Sequence, residues 1–390
     1  MSLILDEHRE YLSDQTRLAL FRKAIGKVVK PGDVVVDLGC GSGILGLFAC
    51  QAGAARVYAI DDGGIIDVAR QVAAANGFGD RITHLRGHST QVELPEKADV
   101  LLADQIGNFG FEAGVFEFFR DGGARMLKRG GKAIPRRIDF WLAPVSYPQA
   151  FRNTEFWATP RAGFDFGLAG TIAKNTGYPL DFAPARFLGR PARLASADPL
   201  DAPPTFKGEV SIKITTPSTL HGLAGFFSAE LAPGVTMTNS PLSAHPITRR
   251  RVFFPIDKPV RVSTGDRVAI SMSITHAQTL VSWRIEVAGP TGGIKLRSAH
   301  STLRGMLLTP GDLRKSRPDF VPTLTPWGEA RRTVIALFDG RRTVAEIERE
   351  LLAHHPELFP APAAAANFVA EVVIPYGGDG SIAAPKDTGS

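Results

Sequence analysis

Hydrophobic and polar positions follow two different periods along this chain, and the change between them lies near Pro135. Before that residue, short apolar runs alternate with helical stripes of apolar side chains. Val34, Val35 and Val36 form an uninterrupted β-branched run, as expected for a strand that is buried on both faces. Further strands are predicted at 56–60, 82–86 and 98–103, a turn with another strand at 126–134, and helices at 44–51 and 65–76. This alternation predicts a doubly wound parallel sheet.

Past Pro135 the apolar positions alternate with polar ones, which is typical of half-buried antiparallel strands. They predict an antiparallel barrel or sandwich with strands at 138–143, 208–215, 222–231, 251–256, 267–275 and 280–287. The insertion at about 147–207 is too long for an ordinary connection. Its aromatic residues predict a dimerisation arm, the alternative being a surface loop that packs on itself. They include Phe156, Trp157, Phe164 and Phe166.

Helical patterns occupy both ends of the chain. The N-terminal segment predicts one or two helices, with Asp14 as the N-cap of the second. The C-terminal pattern is a helix, an Asp-Gly turn and a second helix, for which Thr343 and Glu346 have capping-box spacing. A third helix is predicted at 362–373. The predicted domains are N-terminal helices at 1–30, a Rossmann-like domain at 31–137, a β-barrel domain at 138–299 that includes the arm, a linker at 300–318, a helical domain at 319–378 and a disordered tail at 379–390.

The composition is that of a soluble globular protein, with 44% hydrophobic and 22% charged residues among 390. The net charge of +6 favours anionic partners only weakly, and the tightest basic run is Arg249 to Arg251, so nucleic acid is not an expected partner. Two cysteines, Cys40 and Cys50, imply no disulfide framework and fit a reducing cytoplasm. Neither a membrane-spanning run nor a signal-peptide pattern is recognised, and no metal site is predicted.

Candidate chemistry is concentrated in the turn after the first predicted strand. Asp37 ends that strand. Gly39, Gly41 and Gly43 follow it, so the backbone can turn tightly and approach a ligand closely. The next strand ends in Asp61, an acid placed to hydrogen-bond a ribose diol. Together these features indicate a nucleoside-binding βαβ unit, with an NAD-type fold or a glycine turn without a ligand as the alternatives.

This turn resembles the first motif of the class I methyltransferases that use S-adenosylmethionine (SAM). The residues that carry the resemblance are Asp37, Gly39, Cys40, Gly41 and Gly43. SAM has no pyrophosphate, so it depends less on a helix N-terminus, and a carboxylate such as Asp37 can reach its ammonium directly or through water. SAM is therefore the expected cofactor.

Other polar residues fall at the carboxyl ends of predicted strands, where ligands bind in such sheets. Ser89 and Thr90 lie in the loop after the third strand and could meet the adenine, and Asp104 ends the fourth strand. Arg17, in an N-terminal helix, could pair with the methionyl carboxylate, although a solvated helix arginine has the same pattern. With Asp37 and Asp61, the residues Ser89, Thr90 and Asp104 are therefore predicted to share one edge of the sheet.

The loop at 104–119 is the candidate catalytic segment. Asp104 and Glu112 flank its glycines, and two acids there could grip a cationic or protic nucleophile, orient its lone pair and accept a proton. For Glu112 the alternative is an exposed position at a helix start, where an acid suits the helix dipole.

A wider resemblance is carried by HREYLSDQTRLALFRKAI, VVDLGCGSGILGLFACQAGA, FWATPRAGFDF, LHGLAGFFSAEL and SPLSAHPITRRRVFF. These segments, between about residues 6 and 287, resemble the protein arginine methyltransferases. The resemblance implies a head-to-tail homodimer with SAM held between helix and sheet. It also implies that Arg17 binds the SAM carboxylate and Asp61 the ribose, while Thr90 falls where that family often has an adenine-contacting Glu.

Two features depart from that family. Its catalytic loop has two glutamates, whereas here Asp104 stands at the first position, Ala113 at the second, and Glu112 lies one residue early. Its Thr-His-Trp triplet is replaced by Pro-Ile-Thr at 246–248, with His245 nearby. The methyl acceptor is therefore left open by the resemblance.

The C-terminal stretch LFDGRRTVAEIERELL resembles the PqqD-like winged-helix domains that recognise ribosomally made peptides; a helical cap on the barrel or the dimer is the alternative. The predicted fold class is thus α/β, a Rossmann-like doubly wound parallel sheet followed by an antiparallel β-barrel and a small helical, winged-helix-like domain. The predicted function is SAM-dependent methyl transfer to an N, O or S nucleophile of a peptide or protein, for example a precursor peptide. A small-molecule methyltransferase of natural products and a non-catalytic SAM- or peptide-binding module are the alternatives.

Overall fold

The first part of the chain folds around a parallel sheet of five strands. In the computed structural model, which describes residues 4–315 and 317–378, these strands are β1 (Val34–Leu38), β2 (Arg56–Asp61), β3 (Ile82–Arg86), β4 (Ala98–Leu102) and β5 (Leu127–Ile134). Their order in the sheet is β3-β2-β1-β4-β5. All residues of β1 are buried, as its β-branched run predicts. The direction of chain winding reverses between β1 and β4, so their carboxyl ends flank a crevice suited to a ligand.

Five helices accompany this sheet, and those at 44–51 and 65–75 lie close to their predicted bounds. They are α1 (Ile4–Ser13), α2 (Gln15–Val28), α3 (Ile44–Gln51), α4 (Ile65–Ala75) and α5 (Val115–Arg125). Asp14 lies between α1 and α2 and caps α2, since its side chain accepts from the N–H of Arg17 at 3.0 Å. The break between the two N-terminal helices is therefore a capped turn.

Past β5 the strands are antiparallel and form two sheets. The strands are β6 (Arg137–Val145), β7 (Tyr178–Leu180), β8 (Ala192–Ala197), β9 (Thr205–Lys213), β10 (Ser218–Ala232), β11 (Val235–Thr238), β12 (Arg251–Val262), β13 (Arg267–Thr275), β14 (Leu280–Ala288) and β15 (Ile294–Ser301). One sheet has the order β7-β12-β10-β6-β8 with β11 paired to β10, and the other has the order β15-β14-β13-β9. The parallel sheet followed by antiparallel strands confirms the predicted fold class.

Four strands were missed by the sequence pattern, and the reasons are local. β7 has three residues and contains Pro179, while β11 has four residues, so both are too short to show a period. β8 carries mostly small or charged residues. β15 alternates correctly, but two of its buried positions hold Ser298 and His300, so burial there does not follow hydrophobicity.

The long insertion contains both sheet strands and an exposed lobe. β7 and β8 pair with β12 and β6, so the second half of the insertion belongs to the barrel. The lobe is built from α6 (Pro148–Glu155), a short 3-10 turn and α7 (Gly167–Lys174). Phe151 of this lobe is buried, but several other large apolar side chains face outward, with Phe164 69% and Leu168 80% exposed. Within the insertion, this lobe alone exposes the apolar side chains that were expected of a dimerisation arm.

One hydrophobic core is shared by the parallel sheet and the barrel. At its centre, the ring of Phe109 lies 5.7 Å from that of Phe140 on β6 and 5.3 Å from that of Phe254 on β12, both edge-on. Phe109 belongs to the loop after β4. This packing anchors the candidate catalytic loop to the barrel.

The chain divides after Leu307 into two units, and the second unit is helical. A short helix, α8 (Pro310–Lys315), which the pattern did not predict, precedes α9 (Pro326–Ala336), α10 (Val344–His354) and α11 (Pro362–Tyr376). The last three enclose a small core of their own, and the predicted capping box of Thr343 and Glu346 is present. Over the described residues 317–378 there is no strand, so the wing strands of a winged helix are absent there. The predicted tail at 379–390 lies outside the described residues.

Within the described ranges, none of the helices has the length and apolar character that a membrane span requires.

Candidate functional site

The glycine turn after β1 is closely covered on two sides. Gly41 has φ +53° and Gly39 has φ +62°, a region that favours glycine. A Cβ on Gly41 would lie 2.6 Å from Cε1 of His8 on α1, and a Cβ on Gly39 would lie 2.0 Å from Nε2 of Gln105. Helix α1 and the segment after β4 therefore approach the turn to within distances that only glycine allows.

Two buried acids hold the backbone of this turn. Asp37 is fully buried and accepts from the N–H of Gly46 through Oδ2 at 2.9 Å, while its Oδ1 has no hydrogen-bond partner in the described part of the chain. Burial raises the pKa of Asp37 to about 8; the Gly46 N–H opposes this and the charge of Asp61 adds to it. Asp61 accepts from the N–H groups of Gly41 and Gly63, each at 2.8 Å. Asp61, which was predicted to hydrogen-bond a ribose, therefore also holds the backbone of the loop in place.

A small cavity of about 90 Å³ lies at the ends of β1, β2 and β3. Among the side chains that line it are Asp61, Ser89, His88, Gln105 and Phe118. Ligand pockets usually measure about 300–1,000 Å³, so a nucleoside can enter only if side chains such as Gln105 move. His88, Gln105 and Phe118 were not found from the sequence, because no motif marks them.

Several predicted cofactor residues do not line this cavity, among them Thr90, Cys40 and Gly43. Thr90 is exposed, and its Oγ1 lies 2.7 Å from Nδ1 of His88. Cys40 is buried, and burial together with the charges of Asp37 and Asp61 raises the pKa of its thiol. Gly43 forms the left-handed N-cap of α3.

The most buried ion cluster of the site joins Arg17, Asp104 and Arg249. Nε of Arg17 donates to Oδ2 of Asp104, and the Arg17 guanidinium also donates to the Tyr11 carbonyl at 3.2 Å. Arg249 reaches the same carboxylate with Nη2 at 3.1 Å and Nη1 at 3.4 Å. The three side chains are 8%, 7% and 11% exposed. Burial alone would raise the pKa of Asp104, but Arg249 and Arg17 outweigh it and hold that pKa below its usual value.

The second predicted acid, Glu112, is turned toward its own loop. Both of its carboxylate oxygens accept from the N–H of Phe109 at 3.0 Å, and Oε2 also accepts from the N–H of Phe111 at 3.2 Å. Gly107 makes room for it, since a Cβ there would lie 2.4 Å from Oε2. Burial raises the pKa of Glu112, and these N–H groups oppose the rise. The structure therefore places Glu112 as a brace of the loop beside Asp104.

Further contacts fix the chain on either side of Arg249. The free oxygen of the Asp14 cap accepts from the N–H of Thr248 at 2.8 Å and from its hydroxyl at 3.0 Å. Asn239, fully buried, donates to the carbonyls of Asn108 and Arg250, both at 2.7 Å. Helix α2, the loop after β4 and the segment before β12 are thereby tied together.

A larger cavity of about 410 Å³ opens beside this cluster. Its charged lining consists of Glu10, Asp14, Arg17, Arg249 and Arg250. Asp14 is committed to Arg17 and Thr248, whereas the guanidinium of Arg250 makes no hydrogen bond or ion pair within the described residues. Arg17 was expected at the site from the sequence, whereas Arg249 and Arg250 were noted there only as part of a basic run and were not connected to the site.

Comparisons with known proteins agree with this architecture. Residues 14–132 match the family model of ribosomal protein L11 methyltransferase. The chain is 34% identical over 174 residues to a probable protein arginine N-methyltransferase 6 of Arabidopsis thaliana, covering 44% of this chain and 40% of that protein. It is 28% identical over 274 residues to an arginine N(omega)-methyltransferase of Streptomyces achromogenes subsp. streptozoticus, covering 68% and 75%. The chain spans about half the length, or less, of several curated relatives that it matches.

Solved structures show the same fold at low sequence identity. The PRMT1 enzyme-prozyme heterotetrameric complex of Trypanosoma brucei with AdoHcy matches with a TM-score of 0.68 and 22% identity, over 75% of this chain and 97% of that one. Protein arginine methyltransferase 10 of Arabidopsis thaliana matches with a TM-score of 0.67 and 22% identity, over 76% and 98%. The predicted resemblance is confirmed: in sequence and in fold, this chain is similar to the protein arginine methyltransferases.

Proposed function

We propose that this protein is a SAM-dependent methyltransferase that acts on an N, O or S nucleophile of a peptide or protein. The observation that carries the proposal is the arrangement at the carboxyl edge of the parallel sheet. There the glycine turn, the orphaned buried oxygen of Asp37 and the acid of Asp61 lie beneath helix α1. The comparisons support it, since the relatives and the family model all carry methyltransferase names.

The residues present fit SAM. An unpartnered buried carboxylate oxygen is costly, and the ammonium of SAM would satisfy Oδ1 of Asp37. The ribose would lie on Asp61, and Ser89 and His88 line the cavity beyond it. Two of the five N–H donors of Arg17 are used by Asp104 and Tyr11, so others remain for the methionyl carboxylate.

Bound SAM supplies a methyl group that its sulfonium already activates, so the protein has mainly to position the acceptor and exclude water. Helix α1 covers the glycine turn, and the loop after β4 is anchored in the core by Phe109. Asp104 and Glu112 act in this proposal as positioning residues, one holding Arg17 and Arg249 and the other bracing the loop. Proximity and in-line orientation then account for catalysis.

A second candidate is a non-catalytic module that binds SAM or a peptide. The observation that favours it is that both oxygens of Asp104 are occupied by arginines and that Glu112 faces its own backbone. A small-molecule acceptor is the third candidate. Formation of S-adenosylhomocysteine with an acceptor separates an enzyme from a binding module, and SAM affinity alone does not.

Binding of SAM to the wild-type protein near pH 7 is expected to release up to about one proton from Asp37. The pKa of Asp37 is raised to about 8, so its carboxyl is mostly protonated at pH 7, and a cation bound at Oδ1 favours the ionised form. Titration calorimetry in two buffers of different ionisation enthalpy measures the proton count. Replacement of Asp37 with asparagine should abolish that release and weaken binding.

The matched control is Asp33→Asn, which alters an acid before β1 whose side chain accepts, among the described residues, from the N–H of Lys30 alone. Equal proton release by wild type and Asp37→Asn would contradict the placement of the ammonium. A folded wild-type protein that binds no SAM would contradict the proposed function itself.

We also propose a homodimer that forms through the lobe of the insertion. The lobe exposes Phe156, Phe164, Phe166 and Leu168, at 48%, 69%, 40% and 80% of their surface. A monomer would leave this apolar patch in water, and such patches mark interaction sites. The solved Trypanosoma brucei relative, a heterotetrameric complex, supports association in this fold.

Placing charges on the lobe should convert the dimer to monomers. The variant Phe164→Asp/Leu168→Asp keeps β7 and β8, whereas deletion of the whole insertion would remove both strands from the barrel sheet. Sedimentation velocity at micromolar concentration is the measurement, with Ile294→Asp, an exposed position at the start of β15, as the control. A wild-type monomer, or a lobe variant that stays dimeric, would remove this role of the lobe.

The helical C-terminal unit is proposed to bind a peptide, in line with its PqqD-like stretch. Trp327 is 52% exposed while its ring lies 5.6 Å from those of Phe359 and Phe368, so an aromatic surface is held in place. Aromatic side chains of this kind are common anchors of peptide recognition.

A reducing cytoplasm is the proposed compartment, because Cys40 and Cys50 are both free and buried.

A further inference from the structure

On the side of the site where the methyl acceptor would bind lies Arg249, which belongs to neither the glycine motif nor the parallel sheet. Arg249 is only 11% exposed and makes two hydrogen bonds to Asp104 and one, at 3.4 Å, to the carbonyl of Gly107. Thr248 before it is bound to Asp14, and the Arg250 carbonyl after it is bound to Asn239. The backbone of Arg249 is therefore held on both sides, and its guanidinium is a built part of the site.

Asp104 already accepts one hydrogen bond from Arg17 and two from Arg249, in a cluster from which water is largely excluded. With the methionyl carboxylate on Arg17, as proposed above, Arg249 is the guanidinium whose charge faces the acceptor. A guanidinium or ammonium acceptor would have to displace one of these arginines and would face the other at short range. Like charges are strongly unfavourable in such surroundings. Glu112 offers no compensation, because its oxygens are taken by backbone N–H groups.

The adjoining cavity of about 410 Å³ instead offers donors. Arg249 and Arg250 line it, and the guanidinium of Arg250 has no ion-pair partner within the described residues. Glu10, on the exposed face of α1, and the committed Asp14 are the acids of this lining. Paired guanidiniums bind planar carboxylates well, since their N–H groups match the two oxygens.

Resting on the proposed function, we propose that the methyl acceptor is a carboxylate and that Arg249 is the residue that selects it over a guanidinium. A carboxylate oxygen attacks the methyl carbon of SAM, a C–O bond forms and the C–S bond breaks with its electron pair left on sulfur. The products are a methyl ester and S-adenosylhomocysteine. The negative acceptor and the positive sulfonium give two neutral centres, and no proton has to be removed. This reaction needs no general base. It therefore suits a site in which Asp104 is bound by arginines and Glu112 by backbone N–H groups.

The test uses the full-length protein and tritiated SAM with three defined probes. Two are capped synthetic peptides that differ only in one residue, glutamate or arginine, and the third is glutarate as a small carboxylic acid. Wild type is expected to label a carboxylate probe at least about 10-fold faster than the arginine peptide, the equivalent of one charge-assisted hydrogen bond. The label should be released as methanol by mild alkali, as an ester requires. Labelling of the peptide or of glutarate tells which source of carboxylate is used.

Arg249→Met should lower labelling of the carboxylate probe by about 10- to 100-fold and raise that of the arginine peptide. Arg249→Lys should restore part of the carboxylate labelling. The exposed Arg297→Gln, which removes an ion pair with Glu286 away from the site, should behave as wild type. An alkali-stable label found as methylarginine would overturn the proposal. The absence of label on every probe, in a protein that binds SAM by calorimetry, would also overturn it. Loss of SAM binding by wild type would instead be a failure of the proposed function.

Discussion

Asp104→Asn is expected to unfold more easily than wild type by about 3–5 kcal/mol, the usual cost of removing one partner from a buried ion cluster. Asparagine keeps the shape of the side chain but leaves Arg17 and Arg249 without their shared counter-ion, at 8% and 11% exposure. Methyl transfer should fall by about 100-fold or more, because both arginines lose the orientation that the acceptor side needs. Chemical denaturation and a turnover assay measure the two effects.

The sequence alone suggests a milder outcome for the same change. An acid in a glycine-rich loop at a strand end could be replaced by its amide with little effect on folding. The ion cluster reverses that expectation for stability. The pair Asp6–Arg9 on α1 is the matched control, since both side chains are more than 60% exposed and Asp6→Asn should leave stability unchanged within error.

A double variant keeps this prediction falsifiable if the single one folds poorly. Asp104→Asn combined with Arg249→Met removes one of the two stranded charges, so it should regain part of the lost stability. Additive losses in the double variant would show that Arg249 and Asp104 do not interact in solution. A fully stable, fully active Asp104→Asn would move the chemistry away from this cluster.

The second large effect is expected at Asp61. Asp61→Asn should weaken SAM binding by about 10- to 150-fold, corresponding to about 1.5–3 kcal/mol for a hydrogen bond to a charged group. The carboxylate accepts from two backbone N–H groups of the glycine turn and its neighbour, and an amide nitrogen cannot accept. Both the loop and the ribose contact are therefore weakened, and calorimetry measures the loss.

A ligand analogue separates these two contributions. Wild type should bind S-adenosylhomocysteine more tightly than its 2′-deoxy analogue, and Asp61→Asn should not discriminate between them. A purely structural role of Asp61 would leave the discrimination intact. Asp80→Asn is the control, an exposed acid in the turn before β3.

The parallel sheet was predictable because its signals are local and consistent. β1 is a β-branched run that is buried throughout, and the bounds of β3 and α3 agree with those predicted. The barrel was predictable where burial follows hydrophobicity, as along β13, whose predicted bounds are those observed. It was not predictable at β15, where Ser298 and His300 are buried and bonded to each other at 2.5 Å. A buried polar pair carries no apolar signal in the sequence.

The grouping of the candidate cofactor residues could likewise be predicted, since Asp37, the glycines and Asp61 follow one another within a single βαβ unit. Their spacing alone indicates a nucleoside site. The assignments of Ser89, Thr90 and Arg17 to SAM stay predictions. Thr90 lies outside the cavity that Ser89 lines, which is a matter of loop geometry that no motif encodes.

By itself, the sequence determined the class of the fold, the edge of the sheet at which the candidate acids and glycines lie and the resemblance to arginine methyltransferases. The tertiary structure alone decided what surrounds the acceptor. Arg249 lies 145 residues from Asp104 and reaches it only because Asp14 and Asn239 tie three separate segments together. Local patterns report the period and the turns of one segment. Which charged side chain pairs with a buried carboxylate depends on how distant segments pack. For Asp104, this packing determines whether the carboxylate can bind a cationic acceptor or is already paired with arginines.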